Sequence, residues 1–238
     1  MPDLGDVEAL GFDVFGTVVD WRGGVAREAE AVLARHGVRL DWPAFADAWR
    51  ARYQPAMEAV RSGRRPFVPL DVLHRENLEA VLAELGVAGP DETTLAELNL
   101  AWHRLDPWPD VLPGLARLKR RFVLVTLSNG NVRLMIDMAR RAGLPWDAIL
   151  GAEPTRAYKP APEAYLRTAA MLGTTPERVM LVAAHNDDLA AARAAGLRTG
   201  FVPRPTEHGP GQTRDLTPEQ DWDVVAADFE DLAARLGC

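Results

Sequence analysis

The stretch "VMLVAAHNDDLAAARAAGL" runs from apolar residues straight into His185, Asn186, Asp187 and Asp188 and then into an alanine-rich segment. A histidine, an amide and two carboxylates at that position can hold a cation, move protons or open a helix. Three other stretches carry reactive side chains. "FDVFGT" presents Asp13, Gly16 and Thr17; "VTLSNG" presents Thr126, Ser128 and Asn129; "AYKPAPEAY" presents Lys159. A carboxylate can act as a nucleophile. A nearby lysine keeps it ionised, and hydroxyl and amide groups can bind an anionic substrate.

Each of these residues also has a structural reading. Ser-Asn-Gly makes turns and helix caps. Lysine before proline suits a solvated surface, and Asp187 and Asp188 suit the positive end of a helix dipole. His185 alone reads as a satisfied structural histidine. Their joint placement favours chemistry, and that placement depends on the elements that carry them.

Short apolar runs serve as strand candidates: "VEALGFDVF", "RFVLVTLSN", "AILGAE", "VMLVAAH", "RTGFVP" and "DVVAAD". Helical patterns over 131–142, 161–172, 188–195 and 229–236 lie between and after them, with Gly143 and Gly173 at two helix ends. Continuous apolar strands alternating with amphipathic helices predict an α/β fold, a Rossmann-like doubly wound parallel sheet. Ligands of such a sheet bind outside the carboxyl ends of its strands, which is where Asp13, Ser128 and His185–Asp188 fall. From about Gly24 to Leu105 the pattern changes to helices only: "VAREAEAVLARHG", "WPAFADAWRARYQPAMEAVRSG", "LDVLHRENLEAVLAELG" and "ETTLAELNLAWHRL". An all-helical block over 23–105 is thus expected, inserted after the first strand of a core made of 1–22 and 106–238. The Pro- and Gly-rich "PRPTEHGPGQTRD" reads as a loop.

Bulk properties narrow the partners. A formal charge of −7 disfavours nucleic acid and anionic membranes. No apolar run reaches the roughly 18 residues that span a bilayer, and the acidic start "MPDLGDVEA" lacks the basic segment of a signal peptide. The single cysteine, Cys238, allows no intrachain disulfide, which fits the cytoplasm.

The ordered set "FDVFGTVVD", "TLSNG", "AYKPAPEAY" and "VAAHNDDL" resembles the four motifs of the haloacid dehalogenase superfamily, and the helical insert resembles its cap domain. The resemblance covers essentially the whole chain. It implies a nucleophilic Asp13, a Lys159 that holds it, and an acidic Asp188. Within the superfamily a phosphatase needs an acid two residues after the nucleophile, where this chain has Phe15. It also needs a Mg²⁺-ligating aspartate, where this chain has Ala184. Both departures suit the L-2-haloacid dehalogenase branch, which uses no metal and no cofactor. A carbon–halogen bond needs no protonated leaving group.

That branch implies attack by Asp13 on Cα of a small anionic 2-haloalkanoate such as chloroacetate or fluoroacetate. An aspartyl ester would form, and hydrolysis by water positioned by Asp188 would give a 2-hydroxy acid of inverted configuration. Thr17, Ser128 and Asn129 would hold the substrate carboxylate. Phe15 would keep the site apolar, and Arg50 in "DAWRARYQ" would meet the halide from the cap. His185 stands where related enzymes carry asparagine and is expected to donate to the departing halide. Tyr165 resembles a tyrosine near the family's site, and Trp21 would line or pack the hinge to the cap. A homodimer is implied by the same analogy. The alternatives are a metal-dependent phosphatase on a small phosphoester, hydrolysis of a strained-ring acid by the same nucleophile, and a non-enzymatic scaffold.

Overall fold

The computed structural model describes residues 4–88 and 90–238. Six parallel strands, β1 Ala9–Phe12, β2 Val123–Ser128, β3 Ala148–Gly151, β4 Val179–Ala183, β5 Arg198–Phe201 and β6 Val224–Val225, form one sheet in the order β3-β2-β1-β4-β5-β6. All six sequence-predicted strands are present. β1 and β4 are buried along their whole length because both faces of the sheet are covered. Alternate side chains divide accordingly. Leu10, Phe12, Met180 and Val182 enter one apolar cluster, whereas Ala9, Leu181 and Ala183 enter the other.

The chain runs outward from β1 through β2 to β3, then returns to place β4 on the other side of β1. The direction of winding therefore reverses between β1 and β4, the position at which doubly wound sheets open a crevice. Phe12 pairs with both Thr126 and Val182, so the ends of β1, β2 and β4 emerge level with one another. That register brings Asp13, Ser128 and His185 to one edge.

The core helices are α6 Val111–Leu118, α7 Val132–Ala142, α8 Ala152–Thr155, α9 Pro162–Met171, α10 Asn186–Ala194 and α11 Phe229–Arg235, numbered after the five of the inserted block. α6 lies so close to α11 that a side-chain carbon on Gly114 would come within 2.5 Å of Phe229. α9 and α10 supply Ala164, Tyr165 and Leu189 to the smaller cluster. α10 starts at Asn186 rather than at 188, because His185 already has extended backbone at the N-cap.

Between β1 and α6 the elements among the described residues are helical: α1 Trp21–Leu33, α2 Trp42–Ala51, α3 Tyr53–Arg61, α4 Leu70–Glu84, α5 Glu92–Asn99 and the 3-10 turns Ala34–His36 and Leu100–His103. Asp20, Asp41 and Asp91 cap α1, α2 and α5 by accepting from backbone amides. The pattern read as one helix from Trp42 to Gly63 is two, broken at Arg52. Pro55 has no N–H to offer the carbonyl of Ala51, and its ring crowds that carbonyl.

Asp71 of α4 accepts from Asn131 Nδ2 at 2.8 Å and lies 3.1 Å from His103 Nε2, while His103 Nδ1 lies 3.0 Å from Asp137 of α7. This polar seam ties the helical block to α7 and its N-cap. Among the described residues, no helix is long and apolar enough to cross a membrane.

Candidate active site

Asp13 is the first residue after β1, anchored by its backbone N–H donating to Val182 O at 3.0 Å. The residue is 7% exposed, and its carboxylate receives three contacts. Lys159 Nζ donates to Oδ1 at 2.9 Å, Thr17 Oγ1 donates to Oδ2 at 2.8 Å, and His185 Nδ1 lies 3.1 Å from Oδ2. Burial pushes the Asp13 carboxyl up, but the Lys159 charge and then His185 outweigh it and hold the group well below the usual carboxylate range.

Lys159 arrives on the loop before α9 and is itself buried. Its backbone N–H donates to Asn129 Oδ1 at 2.8 Å, and its carbonyl accepts from Arg61 Nη1 of the helical block at 2.9 Å. The ammonium also donates to Asp188 Oδ2. Burial alone would lower the Lys159 pKa, yet Asp13 and Asp188 together raise it above the ordinary value. Asp188 receives a second bond, from Tyr165 OH to Oδ1 at 2.6 Å. Burial first, and the Asp13 charge after it, raise the Asp188 carboxyl against the opposing pull of Lys159. Tyr165 therefore meets the site from α9, where sequence spacing placed it near the motifs. Asp187 accepts from the Asp188 N–H at 2.8 Å in the first turn of α10, a helix-start contact.

His185 stands between two carboxylates. Nδ1 faces Asp13, and Nε2 lies 2.9 Å from Glu207 Oε2. Burial opposes the charged ring, but Glu207 and Asp13 raise its pKa well above the ordinary histidine value. Glu207 is 1% exposed, and its other oxygen accepts from Trp21 Nε1 at 2.8 Å. Burial raises the Glu207 carboxyl, and His185 outweighs this to bring it to about 2. Gly16 makes room for this carboxylate. Its φ is +88°, and a Cβ there would sit 2.1 Å from Glu207 Oε1.

A cavity of about 770 Å³ opens above these groups, lined by Asp13, Asn129, Lys159, His185, Asp188 and Glu207 from the sheet edge and by Arg50, Tyr53 and Gln54 from the helical block. The Arg50 guanidinium lies 3.9 Å from the Tyr53 ring centre and 5.3 Å from that of Trp21, and its Nη1 is a buried donor without an acceptor. Such a donor suits an anion. Asn129 spends Oδ1 on Lys159, leaving Nδ2 without a protein partner among the described residues.

Three residues expected to touch substrate do not line this cavity. Thr17 is fully buried, and its hydroxyl is spent in a bridge that accepts from Ala184 N at 2.9 Å and donates to Asp13. Ser128 is fully buried, with Oγ accepting from Gly130 N at 3.1 Å. Phe15 lies behind Arg50, edge-on to Trp102 at 5.7 Å and to Tyr53 at 6.4 Å. His185, expected to donate to the departing halide, faces carboxylates with both ring nitrogens. Glu207 was missed altogether. It sits in the loop after β5, and its one sequence signal is an ionisable pair, Glu207-His208, following a predicted strand.

The model of the haloacid dehalogenase-like hydrolases matches residues 7–196. An (S)-2-haloacid dehalogenase of Xanthobacter autotrophicus is 30% identical over 203 residues, spanning 83% of this chain and 76% of that protein. A crystal structure of a defluorinating L-2-haloacid dehalogenase superposes with a TM-score of 0.96 at 56% identity, covering 98% of this chain and 96% of that one. The L-2-haloacid dehalogenase of Xanthobacter autotrophicus with chloropropionic acid covalently bound superposes with a TM-score of 0.80 at 25% identity, covering 97% and 98%. The protein is similar to each of these, and it belongs to the haloacid dehalogenase-like hydrolase family.

Proposed function

We propose that the protein is a hydrolytic dehalogenase that converts small 2-haloalkanoates to 2-hydroxy acids through an ester on Asp13, with the helices of 23–105 acting as a cap over the core of 1–22 and 106–238. The observation that carries this reading is a buried carboxylate kept ionised by Lys159, with an apolar side chain two residues after it. At the position where a phosphatase carries its leaving-group acid stands Phe15, which cannot transfer a proton. At the position of the metal-ligating aspartate stands Ala184, whose methyl cannot ligate.

Asp13 attacks Cα in line and the carbon–halogen electron pair leaves with the halide. Arg50, with its unpartnered Nη1, receives the halide from the cap side. Asn129 Nδ2 meets the substrate carboxylate. Water then adds to Cγ of the Asp13 ester, with Asp188 taking its proton. The raised pKa of Asp188 suits that base. The name of the 56%-identical relative, a defluorinating L-2-haloacid dehalogenase, supports fluoroacetate among the substrates. Cytoplasmic location and a homodimer belong to the same proposal, supported by the lone cysteine and by analogy with related dehalogenases; sedimentation velocity reads the oligomer.

Halide release from 2-chloropropionate with a chelator present, set against turnover of p-nitrophenyl phosphate with Mg²⁺, tests the reading. Chelator-resistant halide release without phosphatase activity is expected; the reverse pattern overturns it.

A further inference from the structure

Resting on the dehalogenase reading, we infer that His185, clamped by Glu207, is a catalytic residue of the second half-reaction, where it and Thr17 bind the oxyanion that forms when water adds to the Asp13 ester. The inference stands on how donors divide between the two oxygens of Asp13. Oδ2 is met by two, Thr17 Oγ1 at 2.8 Å and His185 Nδ1 at 3.1 Å; Oδ1 is met by Lys159 alone, at 2.9 Å. The oxygen with fewer donors keeps a lone pair for attack. Oδ1 therefore bonds to substrate carbon, and Oδ2 becomes the carbonyl oxygen of the ester.

Both donors on Oδ2 have their direction fixed. Thr17 Oγ1 already accepts from Ala184 N at 2.9 Å, so its proton points at Asp13. Between two ionised carboxylates, which only accept, each ring nitrogen of His185 must carry a proton. Glu207 holds the far nitrogen at 2.9 Å and is itself fixed by Trp21 Nε1 at 2.8 Å. Forming the ester removes the negative charge of Asp13 and leaves the imidazolium facing a neutral carbonyl. Water addition then restores a full negative charge on Oδ2, so the cation is worth most in that transition state.

The atoms balance. The water oxygen bonds to Cγ, one proton passes to Asp188, and the Cγ–Oδ2 double bond opens to the oxyanion. On collapse the Cγ–Oδ1 bond breaks, and Oδ1 leaves in the hydroxy acid with a proton from Lys159. Lys159 is reprotonated by Asp188, with which it shares a hydrogen bond. The second water proton goes to solvent as the acid equivalent of the released halide.

Glu207 is the positioning residue of this pair, and its role shows in the pH profile. Asp13 and Glu207 touch His185, Lys159 lies beyond Asp13, and His208, Arg50, Asp187 and Asp188 share the cavity. Replacing Glu207 by glutamine removes one of the two carboxylates that favour the imidazolium. The ring then loses its proton at lower pH, and the basic limb of ester hydrolysis moves down.

The test is rapid-quench kinetics with 2-chloropropionate on wild type, His185→Asn and Glu207→Gln, reading halide and the mass of the Asp13 peptide. His185→Asn is expected to release about one equivalent of halide in a burst, to accumulate the ester, and to turn over about 10²–10³-fold more slowly. The burst amplitude also reports that the variant is folded. Glu207→Gln is expected to accumulate ester only as pH rises. A His185→Asn burst slowed as much as turnover, without ester, overturns the inference, as does a Glu207→Gln profile unshifted in pH. Wild-type halide release without any ester on Asp13 contradicts the dehalogenase reading itself, which separates the two failures.

Discussion

Lys159 Nζ lies 2.9 Å from Asp13 Oδ1, and the same ammonium donates to Asp188 Oδ2. One buried cation thus bridges the two buried carboxylates proposed as nucleophile and base. Replacing Lys159 with methionine leaves Asp188 without a cation and Asp13 with His185 alone. Halide release is expected to fall by more than about 10³-fold, and stability by about 3–5 kcal/mol, the usual cost of stripping one partner from a buried ion pair. One carboxyl is expected to take a proton instead, so the stability loss grows as pH rises. Urea melts at two pH values and halide assays check this; a variant with wild-type stability and activity contradicts it.

Tyr165 OH donates to Asp188 Oδ1 at 2.6 Å. A hydrogen bond to a charged group contributes about 1.5–3 kcal/mol, so Tyr165→Phe is expected to lower kcat by about 10- to 100-fold with little change in KM. An unchanged kcat would show that Asp188 does not depend on this bond.

Arg50 combines a buried unpartnered donor with the Tyr53 face at 3.9 Å. Lysine keeps the charge but not the planar stacking. Arg50→Lys is expected to weaken inhibition by product halide and to slow the halide burst, whereas Arg61→Lys at the cap edge changes either by a smaller factor. Equal halide inhibition in Arg50→Lys and wild type would remove Arg50 from the halide path.

Gly16 carries a φ of +88° beside the Glu207 carboxylate. Gly16→Ala is expected to destabilise the fold by more than about 1 kcal/mol, since strain at positive φ adds to the clash, and to displace Glu207 from His185. A crystal structure of the variant with the His185–Glu207 contact intact would contradict this.

His103 is held by Asp71 and Asp137; burial opposes its charge, but the two carboxylates raise its pKa above 6.5. A raised folded-state pKa stabilises fully below the unfolded value and fades as pH climbs through the folded one. The stability gap between wild type and His103→Gln is therefore expected to be larger at pH 6 than at pH 9, read from urea midpoints. A gap that does not change with pH would show that the seam is not held by charge.

The parts of the site carried by strand ends were legible in the sequence. Continuous apolar runs mark buried parallel strands, and the polar residue that ends each run falls at the carboxyl edge; Asp13 and Asp188 emerge that way. Lys159 follows from its motif. Side-chain direction was not legible. Thr17, Ser128 and Phe15 share the motifs of the edge, yet they turn inward to serve Asp13, Gly130 and the aromatic cluster. Glu207 comes from a Pro- and Gly-rich loop with no periodicity to read. The rule that found Asp13, applied to the end of β5, leads to Arg204, which pairs with Asp110, and not to Glu207. The role of Glu207 depends on Gly16 and Trp21, which lie far away in sequence and meet it only in the folded chain.

In the proposed route Asp13 donates an oxygen atom to the product. A single turnover of 2-chloropropionate in ¹⁸O-labelled water, with enzyme in excess, followed by mass analysis of the Asp13 peptide and of the lactate, tests it directly. One ¹⁸O is expected in the Asp13 carboxylate and none in the first-turnover hydroxy acid. Label in the hydroxy acid with an unlabelled Asp13 would mean that water attacks the substrate carbon itself, and the ester route would be wrong.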